Sequence, residues 1–510
     1  MTESIAIIGA GIAGLATGCY GQMNGYDTHI FELHDKPGGL CTCWQRKGYT
    51  IDGCIHWLVG SSPGQNFHAL WRELGAVQGR EFVDHDVFAR VEGSEGKVFN
   101  IYTNLDRLEQ HMKELAPNDA KPIDELIGMA KTCARYDMPV DKASELIGPL
   151  EGLGMLVRYA PFIRVMSKWK KVTIPEFAAR FTDPFMREAL SAAFDTPQMP
   201  IVAFAMTLAW MHKKAAGQPI GGSLEFARSI ERRYLDLGGK VHYRSPVQEI
   251  VVEEGRATGV RLASGEVHRA DTVISAADGH ATIFDMLGGK YADDTVRGYY
   301  ENLPTFTPLV FVGLGVARTF EDEPAMVGFP LDEPITLGGQ RVTRLVLEFS
   351  SHDPTLSPPG KTVVKLMLAA DYDYWKQLSN DRASYDAEKE RIADTIVSVL
   401  DRRYPGLAQQ VEMRDVATPI TFERYTGNWQ GSFEGWLITE KTMAPFRMRK
   451  TLPGLDRFYM AGQWVEPGGG VPSGLLSGRN IIQILCKRDG KRFATSVPGA
   501  EEEGLSLIHI

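Results

Sequence analysis

The stretch IAIIGAGIAGLATGCYGQMNGYDTHIFE, from Ile5 to Glu32, constrains this chain more than any other. Ile5 to Ile8 is a short, wholly apolar run of the kind that a parallel strand buried on both faces requires. Gly9, Gly11 and Gly14 follow as GxGxxG: the first turns the chain, the second lets a pyrophosphate approach the backbone, and the third lets helix and strand pack closely. The helix that opens there offers free N–H groups and a positive dipole end to that anion. DTHIFE reads as the second strand, and Glu32 at its end is placed to accept hydrogen bonds from both hydroxyls of a ribose. Strand, glycines, helix, strand and terminal acid in register predict a Rossmann-like α/β unit that binds a dinucleotide.

This unit alone does not separate NAD from FAD. The glycine pair Gly38-Gly39, spaced E-x5-GG from Glu32, does so, because a longer cofactor whose second half runs back over the sheet needs bare backbone just beyond the ribose acid. The E-x5-GG element and the later GYTIDGCIHW resemble the flavoprotein superfamily of amine oxidases and phytoene desaturases, and more narrowly the phytoene desaturase, carotenoid isomerase and retinol saturase group. In that superfamily an Arg usually follows the glycine pair and touches the cofactor phosphates. Here the position is Leu40, which leaves the phosphates to backbone N–H groups and weakens the likeness to amine oxidases.

Two further segments complete the resemblance. From Gly221 to Asp278 the chain reads as a helix with Ala227, Ile230, Tyr234 and Leu237 on one face, then alternating strands, then a buried strand DTVISAA. The resemblance implies that Val247 in this unit holds the adenine through its backbone. Near the end, RFYMAG reads as a last parallel strand, QWVEPGGGVPSG as a loop and LLSGRNIIQILC as a helix pointing into it. The bare glycines there predict a flat flavin ring against them, with a helix N-terminus near its pyrimidine edge. Gly462-Gln463 replaces the Gly-Asp common in amine oxidases, whereas PGGGVP is similar to the PGxGVP run of phytoene desaturases. The cofactor contacts implied are Gly9, Gly11, Ala13, Gly14, Glu32, Gly38, Gly39, Leu40, Val247, Gly462, Gln463, Gly469, Gly470 and Val471. The FAD is expected to be non-covalent, since neither Cys nor His lies in the carboxy-terminal loop.

The fold class expected is therefore α/β, with a discontinuous Rossmann-like FAD-binding domain (1–73, 221–289 and 452–490) and an inserted mixed α+β substrate domain (74–220 and 290–451). The first insertion reads as helical. The second holds the strand candidates PLVFVGLGV, RLVLEFS and TVVKLMLAA and a helix that turns Ile392, Ile396 and Val399 inward. Residues 491–510 form a tail, whose last six, Leu505 to Ile510, match one reading of a sequencing-library transposon end and are set aside as an assembly artefact.

Composition excludes several classes. A net charge of -9 with scattered Lys and Arg argues against nucleic acid as a partner. The longest apolar runs, Ile201 to Met211 and Pro308 to Ala317, are shorter than the roughly 20 residues of a membrane span, and the opening MTESIAIIGAG has no signal-peptide pattern, so a cytoplasmic protein is expected. Six cysteines without a CxxC pair read as reduced thiols, with no metal site. Cys41 after the glycine pair suits a flavin disulfide reductase in place only: such chemistry needs CxxxxC, and here Cys43 and Cys54 follow, so a packed thiol is expected. The run Leu150 to Lys171 suits a helix on a membrane surface in composition, but Pro161 interrupts it and its charges do not gather on one face. A buried helix pair is preferred there, with peripheral membrane contact as the alternative.

His56 is the one candidate for catalysis, as a proton shuttle or a dock for a polar substrate end, against the plainer reading of a structural histidine near Asp52. Trp57 and Trp464 are candidates for a pocket wall. The activity implied by the resemblance is hydride transfer between N5 of FAD and a carbon–carbon bond of a hydrophobic, polyene or isoprenoid-like small molecule, as in a desaturase, isomerase or saturase. A flavin amine oxidase and a non-catalytic FAD-binding redox sensor are the alternatives. The sequence carries no signal of oligomeric state.

Overall fold

Ile5 and Ile7 point to one side of the strand Ser4–Ile8 and Ala6 and Ile8 to the other, and both sides are covered. In the computed structural model, which describes residues 2–193, 196, 198–442, 448–499 and 508–509, this strand is the centre of a parallel sheet. The strand order is Lys240–His242, Asp27–Phe31, Ser4–Ile8, Thr272–Ser275, Phe458–Met460, with Ile7 opposite both Ile30 and Ile274. The Ile5 and Ile7 side packs against the helices Ile12–Met23, Gly222–Asp236 and Gly470–Arg488, through Leu15, Ile230 and Leu475. The Ala6 and Ile8 side packs against an antiparallel meander, Val247–Glu253, Arg256–Leu262 and Val267–Arg269, through Ile250 and Val260. Each of these large aliphatic side chains is almost fully buried and contributes about 1.5–3 kcal/mol.

A seven-stranded mixed sheet forms the second layer system, in the order Val411–Ala417, Leu309–Val316, Thr362–Ala369, Gln340–Phe349, Met326–Leu337, Val87–Glu92, Val98–Tyr102. Its neighbours are antiparallel except Met326–Leu337 with Val87–Glu92. The helix Arg382–Arg403 covers it with Ile392, Ile396, Val399 and Leu400. A helical cluster including Leu105–Leu115, Ala120–Ala134 and Ile201–His212 packs at its other end, on Val91, Phe99 and Ile101. The first insertion is thus not wholly helical: Val87–Glu92 and Val98–Tyr102 join the sheet of the second insertion. The hairpin Cys43–Arg46 and Tyr49–Asp52 lies on that sheet because Gly313 and Gly315 leave room for Ile51 and Tyr49, whose atoms a Cβ would meet at 3.0 Å and 2.7 Å. This close approach joins the half built on the parallel sheet to the mixed sheet.

Two further expectations are corrected. The helix after the carboxy-terminal glycines begins at Gly470 and not at Leu475, because Gly470 takes up the first turn and Pro472 suits its amino-terminal positions. The run Leu150 to Lys171 is a helix pair, Pro149–Arg158 and Ala160–Trp169, but it is not buried: Leu150 is 88% exposed, Leu153 60%, Leu156 56% and Val157 73%. Pro161 starts a new helix, which rests on Ala120–Ala134 and Ile201–His212, while the first helix presents its leucines outward. Among the described residues no helix is long and apolar enough to cross a membrane. Of the segment Leu505 to Ile510, only the backbone of Ile508–His509 lies within the described residues, paired with Ala494–Thr495.

Candidate active site

The first glycine turn and the glycine pair are bonded into one cradle. Gly9 has φ +93° and donates its N–H to Phe31 O, and a Cβ on Gly14 would lie 1.9 Å from Gly9 O, so helix and strand meet only if Gly14 has no side chain. Gly38 N donates to Ala10 O at 2.8 Å and bridges to Gly11 in parallel, while Gly39 stands over Gly11 Cα. Beside Gly11 the space is open: an added Cβ would meet only Gly38 O, at 3.9 Å. No side chain among the described residues caps the helix Ile12–Met23, so its first-turn N–H groups are available to an anion.

Glu32, 7% exposed, accepts the Ala10 N–H on Oε2 at 2.6 Å and the His34 N–H on Oε1 at 2.8 Å. Each oxygen keeps a lone pair for a ribose hydroxyl. Ser245 N donates to Glu32 O, which brings Val247, two residues on, to the same edge. Leu40 is half-buried beside the cradle. These features fit the adenosine and pyrophosphate of FAD: uncapped donors, a gap a Cβ would narrow, and a carboxylate with unused acceptor capacity.

The carboxy-terminal segment closes on the same helix. Gly462, with φ +99°, donates to Ser477 Oγ at 2.7 Å and lies next to Ala13, whose Cβ would be 3.6 Å from a Cβ on Gly462. Val471 is buried in the core that includes Ala13. A second loop, Ser432 to Trp436, is clamped onto this one: Gln463 packs against Gly435, and Trp436 Nε1 donates to Trp464 O at 3.1 Å. Gly469, at φ +67° and ψ 155°, lies against Glu434, and a Cβ there would be 2.7 Å from Glu434 Oε2. Glu434 is half-buried, with protein crowded around its carboxyl. Burial pushes its carboxyl up to about 7, against the opposing charge of His56 and the N–H of Gly470.

His56 pairs with Glu348, not with Asp52: Nδ1 is 2.7 Å from Glu348 Oε2. The Asp52 carboxylate is taken by the Ser223 hydroxyl and by the N–H groups of Ser223 and Cys54. Glu348 Oε1 meets Lys365 Nζ at 2.7 Å, and Lys365 also donates to the Asp52 carbonyl. Burial alone would raise the Glu348 carboxyl, but His56 and Lys365 together hold it well below the usual carboxylate range. Burial likewise opposes the charge on Lys365, yet Glu348 and Asp52 hold its ammonium above its ordinary value.

The structure brings the dinucleotide residues, the carboxy-terminal glycines and His56 to one region. Trp464 is buried in an aromatic cluster with Trp436, and Trp57 packs edge-on against Phe88. Cys41 is a buried free thiol bonded to Ser223 O, and burial pushes its pKa well up, which suits a packed thiol and not a redox partner. Glu348, Lys365 and Glu434 are absent from the sequence-based candidates. Their signal was one charged residue inside each of the apolar runs RLVLEFS and TVVKLMLAA, and one acid between aromatic and glycine neighbours in SFEGW.

Comparison with known proteins gives a consistent result. The model of a family described as flavin containing amine oxidoreductase matches residues 12–481. The chain is 25% identical over 503 residues to a lycopene-forming phytoene desaturase of Paracoccus sp., covering 95% of this chain and 97% of that protein. It is 24% identical over 507 residues to a chloroplastic prolycopene isomerase of Daucus carota, covering 94% and 78% respectively. Among solved structures, an oxidoreductase from Methanosarcina mazei shares the fold with a TM-score of 0.61, at 17% identity, over 94% of this chain and 100% of that one.

Proposed function

The chain belongs to the flavin containing amine oxidoreductase family and is an FAD-dependent oxidoreductase, and from that premise we propose that it moves hydride between FAD and a carbon–carbon bond of a hydrophobic, polyene-like substrate. The observation that carries this reading is the near full-length likeness to phytoene desaturases and prolycopene isomerases, combined with the cradle around Gly11. FAD supplies the redox chemistry through N5 of its ring; the chain supplies position and charge. The N–H groups from Gly11 to Gly14 and around Gly38-Gly39 hold the phosphates, Glu32 the ribose and Val247 the adenine edge. The Gly462 to Val471 loop lies against the ring, with His56 on the substrate side. Residues 1–73, 221–289 and 452–490 form the FAD domain in this reading, and 74–220 with 290–451 the substrate domain. Leu40 and Gln463 in place of Arg and Asp weigh against the amine oxidase alternative.

A water-insoluble substrate needs a route from a lipid phase. Leu150, Leu153, Leu156 and Val157, exposed on one short helix and followed by exposed Arg158 and Arg164, suit peripheral contact with an anionic membrane surface inside the cell. The test is to mix purified holoprotein with phytoene or prolycopene in phosphatidylcholine–phosphatidylserine vesicles containing a quinone acceptor, and to read the polyene by chromatography. A changed double-bond pattern that depends on bound FAD is expected. Peroxide production from amines with both polyenes untouched would overturn the proposal.

A further inference from the structure

Glu434 and the chain Lys365, Glu348, His56 are buried titratable groups that cofactor binding does not use. Their arrangement has a direction. Lys365 and Glu348 are cross-strand partners of the mixed sheet and lie 2.7 Å apart, so the ammonium is neutralised inside the protein. Glu348 Oε2 lies 2.7 Å from His56 Nδ1, a placement that favours the tautomer with its proton on Nδ1 and leaves Nε2 for exchange. Glu434 comes from a different loop and lies against Gly469, where a Cβ would be 2.7 Å from its Oε2; it is within electrostatic reach of His56 and of the Gly470 N–H at the start of a long helix. Among the described residues no other charged side chain opposes or supports it. Glu348 thus stands 2.7 Å from the imidazole, and Glu434 stands against Gly469 within its electrostatic reach; burial is outweighed at the first carboxyl by His56 and Lys365, and dominates at the second.

We propose that Glu434 exchanges a proton with substrate carbon during the two-electron reaction, and that Lys365, Glu348 and His56 are positioning residues that fix its charge. This rests on the reading that the Gly462 to Val471 loop faces the flavin. In the desaturating direction one C–H bond breaks with its electron pair and leaves as hydride to FAD, which is reduced by two electrons. The neighbouring C–H bond breaks, its pair becomes the new π bond, and its proton goes to a Glu434 oxygen. In the saturating direction Glu434 returns that proton to one carbon as hydride reaches the next. His56 Nε2 relays the proton onward between turnovers.

Infrared difference titration of the full-length holoprotein between about pH 5 and 9 tests this. A protonated-carboxyl band should disappear with a midpoint near 7, be absent in Glu434→Gln, and move to higher pH in His56→Gln, since His56 opposes the effect of burial. Turnover of the vesicle-borne polyene should fall at least ~100-fold in Glu434→Gln while FAD content per chain stays at the wild-type level. A Glu434→Gln variant that keeps FAD, turnover and the wild-type pH profile overturns the proton role and leaves the flavin assignment standing. Protein that titrates near 7 but takes up no FAD overturns the flavin assignment, and the proposal with it.

Discussion

Replacing Lys365 by Met perturbs the relay at its most buried point. The Lys365 side chain is 3% exposed, that of Glu348 8%, and the two meet at 2.7 Å. Removing one partner of a buried ion pair costs about 3–5 kcal/mol because the other charge is left uncompensated. Glu348 would keep His56 at 2.7 Å, so the loss for Lys365→Met belongs at the lower end, about 3 kcal/mol. Glu348→Gln leaves the ammonium with the Asp52 carbonyl and a neutral amide, which puts its loss nearer 4 kcal/mol. The double variant removes both charges together, so its loss should fall short of the sum by about 2 kcal/mol, in the range for residues in contact. Urea unfolding followed by near-ultraviolet circular dichroism gives the cycle, at matched FAD occupancy because bound cofactor adds its own stability. The sign of the pH dependence follows from the carboxyl. The folded value of Glu348 is depressed below its ordinary 4.5, so its stabilisation is complete above that pH and is lost only as pH falls through the lower folded value. The coupling should therefore be equal at about pH 7 and about pH 5.5. Additivity of the two single variants within about 0.5 kcal/mol would refute the reasoning.

Gly469→Val forces a β-branched residue into φ +67° and ψ 155° and places a Cβ 2.7 Å from Glu434, so FAD content per chain should fall; full occupancy would show that the loop does not face the flavin. Glu32→Ala removes a carboxylate that also anchors the Ala10 and His34 N–H groups, and FAD affinity should drop by about 1.5–3 kcal/mol, read by equilibrium dialysis. FAD should be released intact by acid or heat, and flavin absorbance that stays with the denatured pellet would count against a non-covalent cofactor.

The cofactor half of this protein is legible in its sequence because the backbone there leaves few choices. Gly14 cannot carry a Cβ against Gly9 O, and Gly38 sits at φ +108°, so each glycine is written into the chain by local geometry. The strands Leu309–Val316, Gln340–Phe349 and Thr362–Ala369 are legible as apolar runs. Val87–Glu92 and Val98–Tyr102 were not: they are short, and only Val87–Glu92 meets a strand of the far insertion, Met326–Leu337. The relay was not legible either. His56 and Glu348 come together only through sheet order and the hairpin stacked on it, and no local pattern encodes a contact of that range. The exposed leucines of Pro149–Arg158 show the same limit from the other side: their spacing is that of a core helix, and only tertiary packing reveals that no described residue covers them.

The central sheet also sets an order of events during synthesis. Its edge strand Phe458–Met460 pairs with Thr272–Ser275, and the helix Gly470–Arg488 packs on Ile12–Met23, about 450 positions earlier in the chain. At about 5–20 residues per second, the ribosome takes roughly 20–90 s to make that interval. For all that time the helix Ile12–Met23 has its Ala13 and Thr17 surface, later covered by Gly474 and Gly478, without a partner. The nascent chain thus carries the glycine cradle around Gly11 long before the carboxy-terminal helix is made, and, on the proposed assignment of the cradle to FAD, early capture of the cofactor would hold the first strands in register while the rest is made.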